Sequence, residues 1–401
     1  MRVLMLLGWV ALSLVLGRAA HAEHIKIGVI LPYSGANADV GDVLDKSLDL
    51  YIKLHGKDIA PHTVELLKRD EGPPSGAMAK TAASELITRD KVDLLLGVVF
   101  SPSAIAIAPL VTQAKVPFVI ANAGTAWITT LSPYIVRFSF SMWHDGYAMG
   151  GYAAKDLKCN TAVVAYTDFP PGKDSTEAFK TNFETAGGKV IDAIPMGSPA
   201  QVPDMTPFFQ RVKDEKPDCL YVFIPSGSHA TAVVKTYGEV GLRQAGIRLI
   251  GPKDVTPDSK LQTMGNEAVG TIVMSSYSND LDNPVNKQFV QAWHEAYGAD
   301  NYPDFESADG WDAIDAVFQT IKKLNGKFDT DAFINEIKNW SGEGPRGKVS
   351  IDPATRDIVQ DEHAMEIIRK PDGKLGTKVL STIAAVKDEC KVLKIGRCGV
   401  Q

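Results

Sequence analysis

Apolar runs the length of a strand recur along the chain. Each is followed by a loop of small or polar residues and then by a segment with apolar positions at helical spacing. In the first third the runs are residues 24–31 (HIKIGVIL), 64–67, 92–99, 117–121 and 134–140. Between them Val43, Leu44, Leu48, Tyr51 and Ile52 fall on one helical face, as do Met78, Ala82 and Leu86 with Ala79, Ala83 and Ile87. Runs that are nearly continuous, rather than alternating, predict strands buried on both faces, as in a parallel sheet between helix layers. The predicted order, β-α-β-α-β-α-β-β, is that of a doubly wound α/β sheet.

The pattern then repeats. Strands are predicted at 161–166, 190–194, 219–224, 248–250 and 269–275, with helices at 175–186, 205–212 and 230–240. Two successive βα sets of matching order imply two similar lobes. Beyond them, residues 284–297 and 307–324 are amphipathic helices, 330–340 a shorter one, and the text from residue 347 reads as strands and turns. No low-complexity stretch or flexible linker interrupts the chain, so the lobes are expected to be joined by several structured crossovers. Lobe 1 is assigned to 23–141 and 279–346, lobe 2 to 142–278 and 347–401.

At 401 residues the chain is long enough for two separate cores. A net charge of −6 without a basic run argues against nucleic acid as a partner. Arg2, the apolar stretch 3–16 and Ala20-His21-Ala22 read as a secretory leader cut after Ala22. Its loss, with Arg2 and Arg18, carries the formal charge from −6 to −8. No later stretch is apolar enough to span a membrane, so the chain is expected to be exported, soluble and monomeric. Cys390 and Cys398 are close enough in sequence to close a small disulfide loop, whereas Cys159 and Cys219 are expected to be buried free thiols.

Ligands of open parallel sheets bind outside the carboxyl ends of the strands. The strand at 92–99 runs straight into Ser101-Pro102-Ser103, with Ser101 suited to a helix N-cap and Pro102 to the first helical position. Backbone N–H groups, a helix dipole and two hydroxyls then converge on a spot suited to an anion. The candidate loops of the first lobe are 33–37, 100–103 and 122–125, which include Tyr33, Phe100, Ala123, Gly124 and Thr125. Those of the second are 166–169, 225–229 and 253–256, with Tyr166, Asp168, Phe169, Ser226, Gly227, His229, Lys253 and Asp254. Trp143, Tyr277 and Phe305 lie near the crossovers and offer aromatic walls, although large aromatics taken singly usually fill cores.

Signatures of a secreted enzyme are missing. Ser226 stands in IPSGSH, which is not a nucleophile elbow. His294-Glu295 lacks a second histidine four residues on, and 72–81 lacks the Gly-Lys pair of a P-loop. His144, His229 and His363 are isolated, and no cysteine or histidine spacing marks a metal site.

The chain resembles the periplasmic solute-binding proteins of ABC importers, in the branch that includes the leucine/isoleucine/valine-binding proteins. The likeness covers essentially everything after the leader. It is carried by IKIGVILPYSG, SELITRDKVDLLLGVVFSPS, VPFVIANAGT and the repeated second lobe, in that order and spacing. It implies a type I periplasmic binding (Venus-flytrap) fold, capture of a small carboxylate in the cleft, delivery to an ABC permease in the inner membrane, and no cofactor. In that family the first-lobe loops hold the ligand carboxylate, and Ser101, Ser103 and Ala123 to Thr125 occupy those places here. Amino-acid binders also carry an acid for the ammonium group, often in the fourth-strand loop of the second lobe. Here Lys253 stands in that loop with Asp254 beside it, a departure that points to an acid without an ammonium group. The FSPSA and NAGTA wording is similar to members that bind aromatic carboxylates, with Phe100, Pro102, Trp143 and Tyr277 as flat walls. A branched-chain or other amino acid, or an amide, is the alternative ligand. A secreted hydrolase or a partner of a membrane receptor is the alternative of a different class.

Overall fold

The fold was analysed in a computed structural model, which describes residues 22–399. Except for Ala22, the leader lies outside the described residues. The first sheet is built from β1 (His24–Leu31), β2 (Thr63–Asp70), β3 (Leu94–Gly97), β4 (Phe118–Ile120) and β5 (Ile135–Arg137). It is parallel throughout, in the order β2-β1-β3-β4-β5. Helices α1 (Ala38–His55), α2 (Ala77–Thr88) and α3 (Ser101–Ala114) connect its strands. The continuous apolar runs are buried as their pattern predicts; all of β3 is enclosed. Met78 is the exception on α2, turned outward at 46% exposure.

After α4 (Met142–Lys155) the second sheet begins with β6 (Thr161–Tyr166), α5 (Pro170–Thr185), β7 (Lys189–Pro195), α6 (Thr206–Glu215), β8 (Cys219–Phe223), α7 (Ser228–Val240), β9 (Arg248–Pro252), α8 (Asp258–Leu261) and β10 (Ile272–Ser275). Helices α9 (Pro284–Tyr297), α10 (Phe305–Lys323) and α11 (Thr330–Ile337) follow. Then come β11 (Ser341–Gly344), β12 (Gly347–Asp352), β13 (Asp357–Arg369), β14 (Leu375–Val386) and the short α12 (Glu389–Val392). The second sheet runs β11-β12-β13-β10-β9-β8-β6-β7, with β14 beside β13. It is parallel from β7 to β10 and antiparallel from β10 onward.

In both sheets the first strand lies between the next two, β1 between β2 and β3, and β6 between β7 and β8. Chain direction therefore diverges there, and a crevice opens at the carboxyl ends of the strands. At the end of β3 the chain turns sharply through Gly97 (φ 119°) and Val98 (φ 53°). A Cβ on Gly97 would fall 2.5 Å from the Ile30 carbonyl oxygen, so glycine is required there.

Two differences from the sequence reading have clear causes. Phe100, not Ser101, is the N-cap residue of α3, and no side chain caps it. The Ser101 hydroxyl instead accepts the Thr125 N–H at 3.1 Å, tying two loops together. Cys159 and Cys219 are joined to each other rather than free. Ala162 of β6 pairs with Cys219 of β8, and this register carries Cys159, just ahead of β6, within a Cα–Cα distance of 6.0 Å of it. Cys390 and Cys398 form the other disulfide.

The two sheets are stitched together by the buried guanidinium of Arg346. It donates to Asp312 (2.7 Å) and Asp309 (2.5 Å) on α10, to Gln360 on β13 (2.7 Å) and to the Phe138 carbonyl just past β5 (2.7 Å). That last contact shows why the 134–140 run is a strand only over Ile135–Arg137: its end leaves the sheet for the crossover. Arg346→Met leaves two buried carboxylates without their cation. It is expected to cost about 3–5 kcal/mol, read from the urea midpoint of the purified protein.

Candidate functional site

The crevice loops of both lobes meet around a narrow slot, closed down in this form to a free volume of about 30 Å³. From the first lobe come Asn37, Val40, Val99, Phe100, Asn122 and Gly124. Phe140 and Met142 come from the crossover, and Phe169, Pro171, Phe223, Pro225, Ser226 and Asp254 from the second lobe. Glu306 of α10 completes the wall. Four phenylalanines thus face one narrow space. Phe169 and Phe223 stack at 6.0 Å between centroids, and Phe140 packs edge-on to Phe305 at 5.5 Å. No basic side chain lines the cavity among the described residues. A wider groove on the outer face, lined by Tyr51, His55, Trp311 and Phe318, holds none of these loops.

Behind one side of the cavity a buried cation orders the 123–126 loop. Arg137 is fully enclosed, paired with Asp357 (2.7 Å) and Asp388 (3.1 Å). Its guanidinium also donates to the carbonyls of Ala123 (3.4 Å), Thr125 (2.7 Å) and Ala126 (3.3 Å). In a trans peptide the next N–H points away from the carbonyl. The Ala126 N–H accordingly reaches Asp174 in the second lobe at 2.8 Å. By the same rule the Gly124 N–H points away from Arg137, and Gly124 lines the cavity. The Thr125 hydroxyl beside it is buried without a partner among the described residues.

The β3–α3 turn is used differently from expectation. The N–H groups of Val99 and Phe100 donate to Glu71, at 2.7 and 2.8 Å. The chain's own carboxylate therefore occupies part of the predicted anion site. Burial pushes the Glu71 carboxyl up to about 7 against these donors. Ser103 lies near enough to Glu71 to favour its charged form but makes no well-aligned hydrogen bond.

On the second-lobe side, Asn37 Nδ2 donates to the Ser226 carbonyl at 3.0 Å, and the Ser226 hydroxyl donates to Asp254 at a long 3.3 Å. Burial pushes the Asp254 carboxyl up to about 7. Glu306 is held well above the carboxylate range by burial and then by neighbouring Asp304. Asp254 Oδ2 and Glu306 Oε2 are buried without partners among the described residues. Lys253 turns the other way, 2.9 Å from Asp258, so the residue of that loop that reaches the cavity is the acid.

Of the sequence candidates, Phe100, Gly124, Phe169, Ser226 and Asp254 line the cavity; Ser101, Ala123 and Thr125 adjoin lining residues along the chain, whereas Pro102 and Ser103 do not line it, the Pro102 carbonyl lying by Gly76 and Ser103 near Glu71. The rest sit elsewhere. Tyr33 is at the surface, donating to Asp45. Asp168 is exposed beside Lys173. His229 faces the Gln201 carbonyl, and Trp143, Tyr166 and Tyr277 pack in cores. Gly227 belongs to a lobe-to-lobe contact, where an added Cβ would fall 2.9 Å from Asp39. Asn37 and Asn122 were inside candidate loops. Phe140, Phe223 and Glu306 were not singled out, because their positions read as strand interior and helix start.

The periplasmic binding protein family profile matches residues 24–374. The chain belongs to the periplasmic binding protein family. This periplasmic binding protein is 35% identical over 364 residues to the Leu/Ile/Val-binding protein homolog 6 of Brucella melitensis, covering 91% of this chain and 93% of that one. Among solved structures, it is similar to an ABC-transporter solute-binding protein of Rhodopseudomonas palustris BisB5 in complex with 3,4-dihydroxybenzoic acid, with a TM-score of 0.88 and 39% identity over 92% of this chain and 99% of that one. A second R. palustris solute-binding protein, in complex with 4-hydroxybenzoate, gives 0.87 and 36% over 91% and 98%.

The lobes touch at the rim as well as around the cavity. Lys260 pairs with Asp39 at 2.8 Å, and the Ser228 hydroxyl donates to the Ala36 carbonyl at 3.0 Å. These contacts favour the closed form alone, so they add to the affinity of any solute that requires closure. The Lys260–Asp39 pair is half-exposed and worth at most ~1 kcal/mol. Lys260→Ala is expected to weaken solute binding about 2–5-fold in calorimetry and to leave the melting temperature of the free protein unchanged.

Proposed function

We propose that the protein is the exported solute-binding component of an ABC importer, capturing an aromatic carboxylate between its lobes and presenting the closed form to a permease. The observation that carries this reading is the pairing of a slot walled by Phe100, Phe140, Phe169 and Phe223 with an anion-ready loop backed by buried Arg137. A flat ring enters as the lobes part, the slot widens to take it, and closure buries its faces on aromatic surface. Its carboxylate is held by the Gly124 N–H and the Thr125 hydroxyl, whose neutral dipoles are strengthened by low dielectric. The relatives solved with hydroxylated benzoates support the same ligand class. Nothing in this arrangement calls for bond-making, and the role is capture and release rather than catalysis.

A second reading, an α-amino acid ligand, draws on the acid that faces the cavity and on the Brucella relatives' name. It requires Asp254 to be ionised and paired with an ammonium group.

In a thermal-shift screen of aromatic acids, branched-chain amino acids, aliphatic acids and amides, aromatic acids at about 100-fold over Kd should raise the melting temperature by several degrees. Stabilisation by amino acids alone would sink the aromatic reading. Thr125→Val removes the unpartnered hydroxyl at nearly constant shape. It should weaken aromatic-acid binding about tenfold without lowering the stability of the free protein.

A further inference from the structure

Two carboxyl groups inside an aromatic-walled cavity need an explanation of their own. Asp254 Oδ2 and Glu306 Oε2 are enclosed, unpartnered among the described residues, and belong to side chains that line the cavity. No cation among the described residues offsets them. Lys253 is turned to Asp258 at 2.9 Å, and Arg346 is spent on Asp309 and Asp312. The other ionisable groups packed around the pair are acidic or neutral: Asp304 before α10, Asp145 on α4 with Glu362 on β13, and Tyr221 on β8. Adding a ligand carboxylate to this enclosure is costly if both acids are ionised and cheap if both are protonated. A neutral carboxyl is at once a donor and an acceptor, which makes it the natural partner of a hydroxyl group.

We infer that Asp254 and Glu306, with Ser226 between them, read a hydroxyl group on the ligand ring, so that the solute class is hydroxylated aromatic acids rather than unsubstituted ones. This rests on the aromatic-acid reading and adds the residues that discriminate within it. A ligand without the hydroxyl leaves Asp254 Oδ2 and Glu306 Oε2 unpartnered in the closed state, and a site built to bond a hydroxyl rejects the analogue that lacks it. Burial raises the Asp254 carboxyl to about 7. Its protonated form is therefore present below that pH and lost above it, and binding of a hydroxylated acid weakens as pH rises through this range. An amino acid, whose ammonium needs the ionised form, shows the opposite trend.

The test is calorimetry on the intact protein with benzoate, 4-hydroxybenzoate, 3,4-dihydroxybenzoate and leucine, between about pH 6 and 8. The hydroxylated acids should bind at least about tenfold more tightly than benzoate, with the advantage shrinking as pH rises. Asp254→Ala should bring the 4-hydroxybenzoate to benzoate ratio toward one. Asp254→Asn, which stays neutral, should keep the preference and flatten its pH dependence, and it decides the matter if the alanine variant does not fold. Equal affinity for benzoate and its hydroxylated forms overturns this inference while the aromatic reading stands. Binding of leucine alone, or of none of the aromatic acids, overturns that reading as well.

Discussion

The site depends on one buried guanidinium. Arg137 pulls the carbonyls of the 123–126 loop inward and thereby aims the loop's amides outward. Peptide planarity does the rest, because a fixed carbonyl fixes the next N–H. Asp357 and Asp388 pair with the guanidinium in a place where an isolated cation would be costly to bury. The cavity thus gains aimed amide dipoles rather than a net positive charge, since the two aspartates offset the guanidinium. Arg346 does comparable work at the crossovers, where it fixes the exit of β5, α10 and β13 relative to one another.

The fold was largely legible in the chain because a doubly wound sheet writes itself in runs. Strands such as residues 92–99 are apolar at nearly every position, and Gly97 marks where β3 must stop. The family resemblance, which rested on the same stretches, agrees with the matching family and with the solved relatives. The carboxyl ends of the strands could be named as the place to look, since topology rather than side-chain detail sets that position.

The details of the site were less legible, because they turn on directions that adjacent residues do not share. Lys253 and Asp254 are neighbours, yet one faces Asp258 and the other the cavity. Phe223 ends β8 and Phe140 follows β5, so each reads as core until the strand's end is located. Glu71 lies 28 residues before Val99 and takes its amide, a contact with no local sign. Trp143 and Tyr277 were drawn into cores by their large apolar area, which outweighs their value as walls.

That no lysine, arginine or histidine among the described residues lines the cavity has a consequence for the surroundings in which the protein would work. Attraction between exposed charges fades as ionic strength rises, but dipoles sealed away from mobile ions are screened far less. An anion held by enclosed amides and hydroxyls is therefore retained alike in dilute and in brackish surroundings.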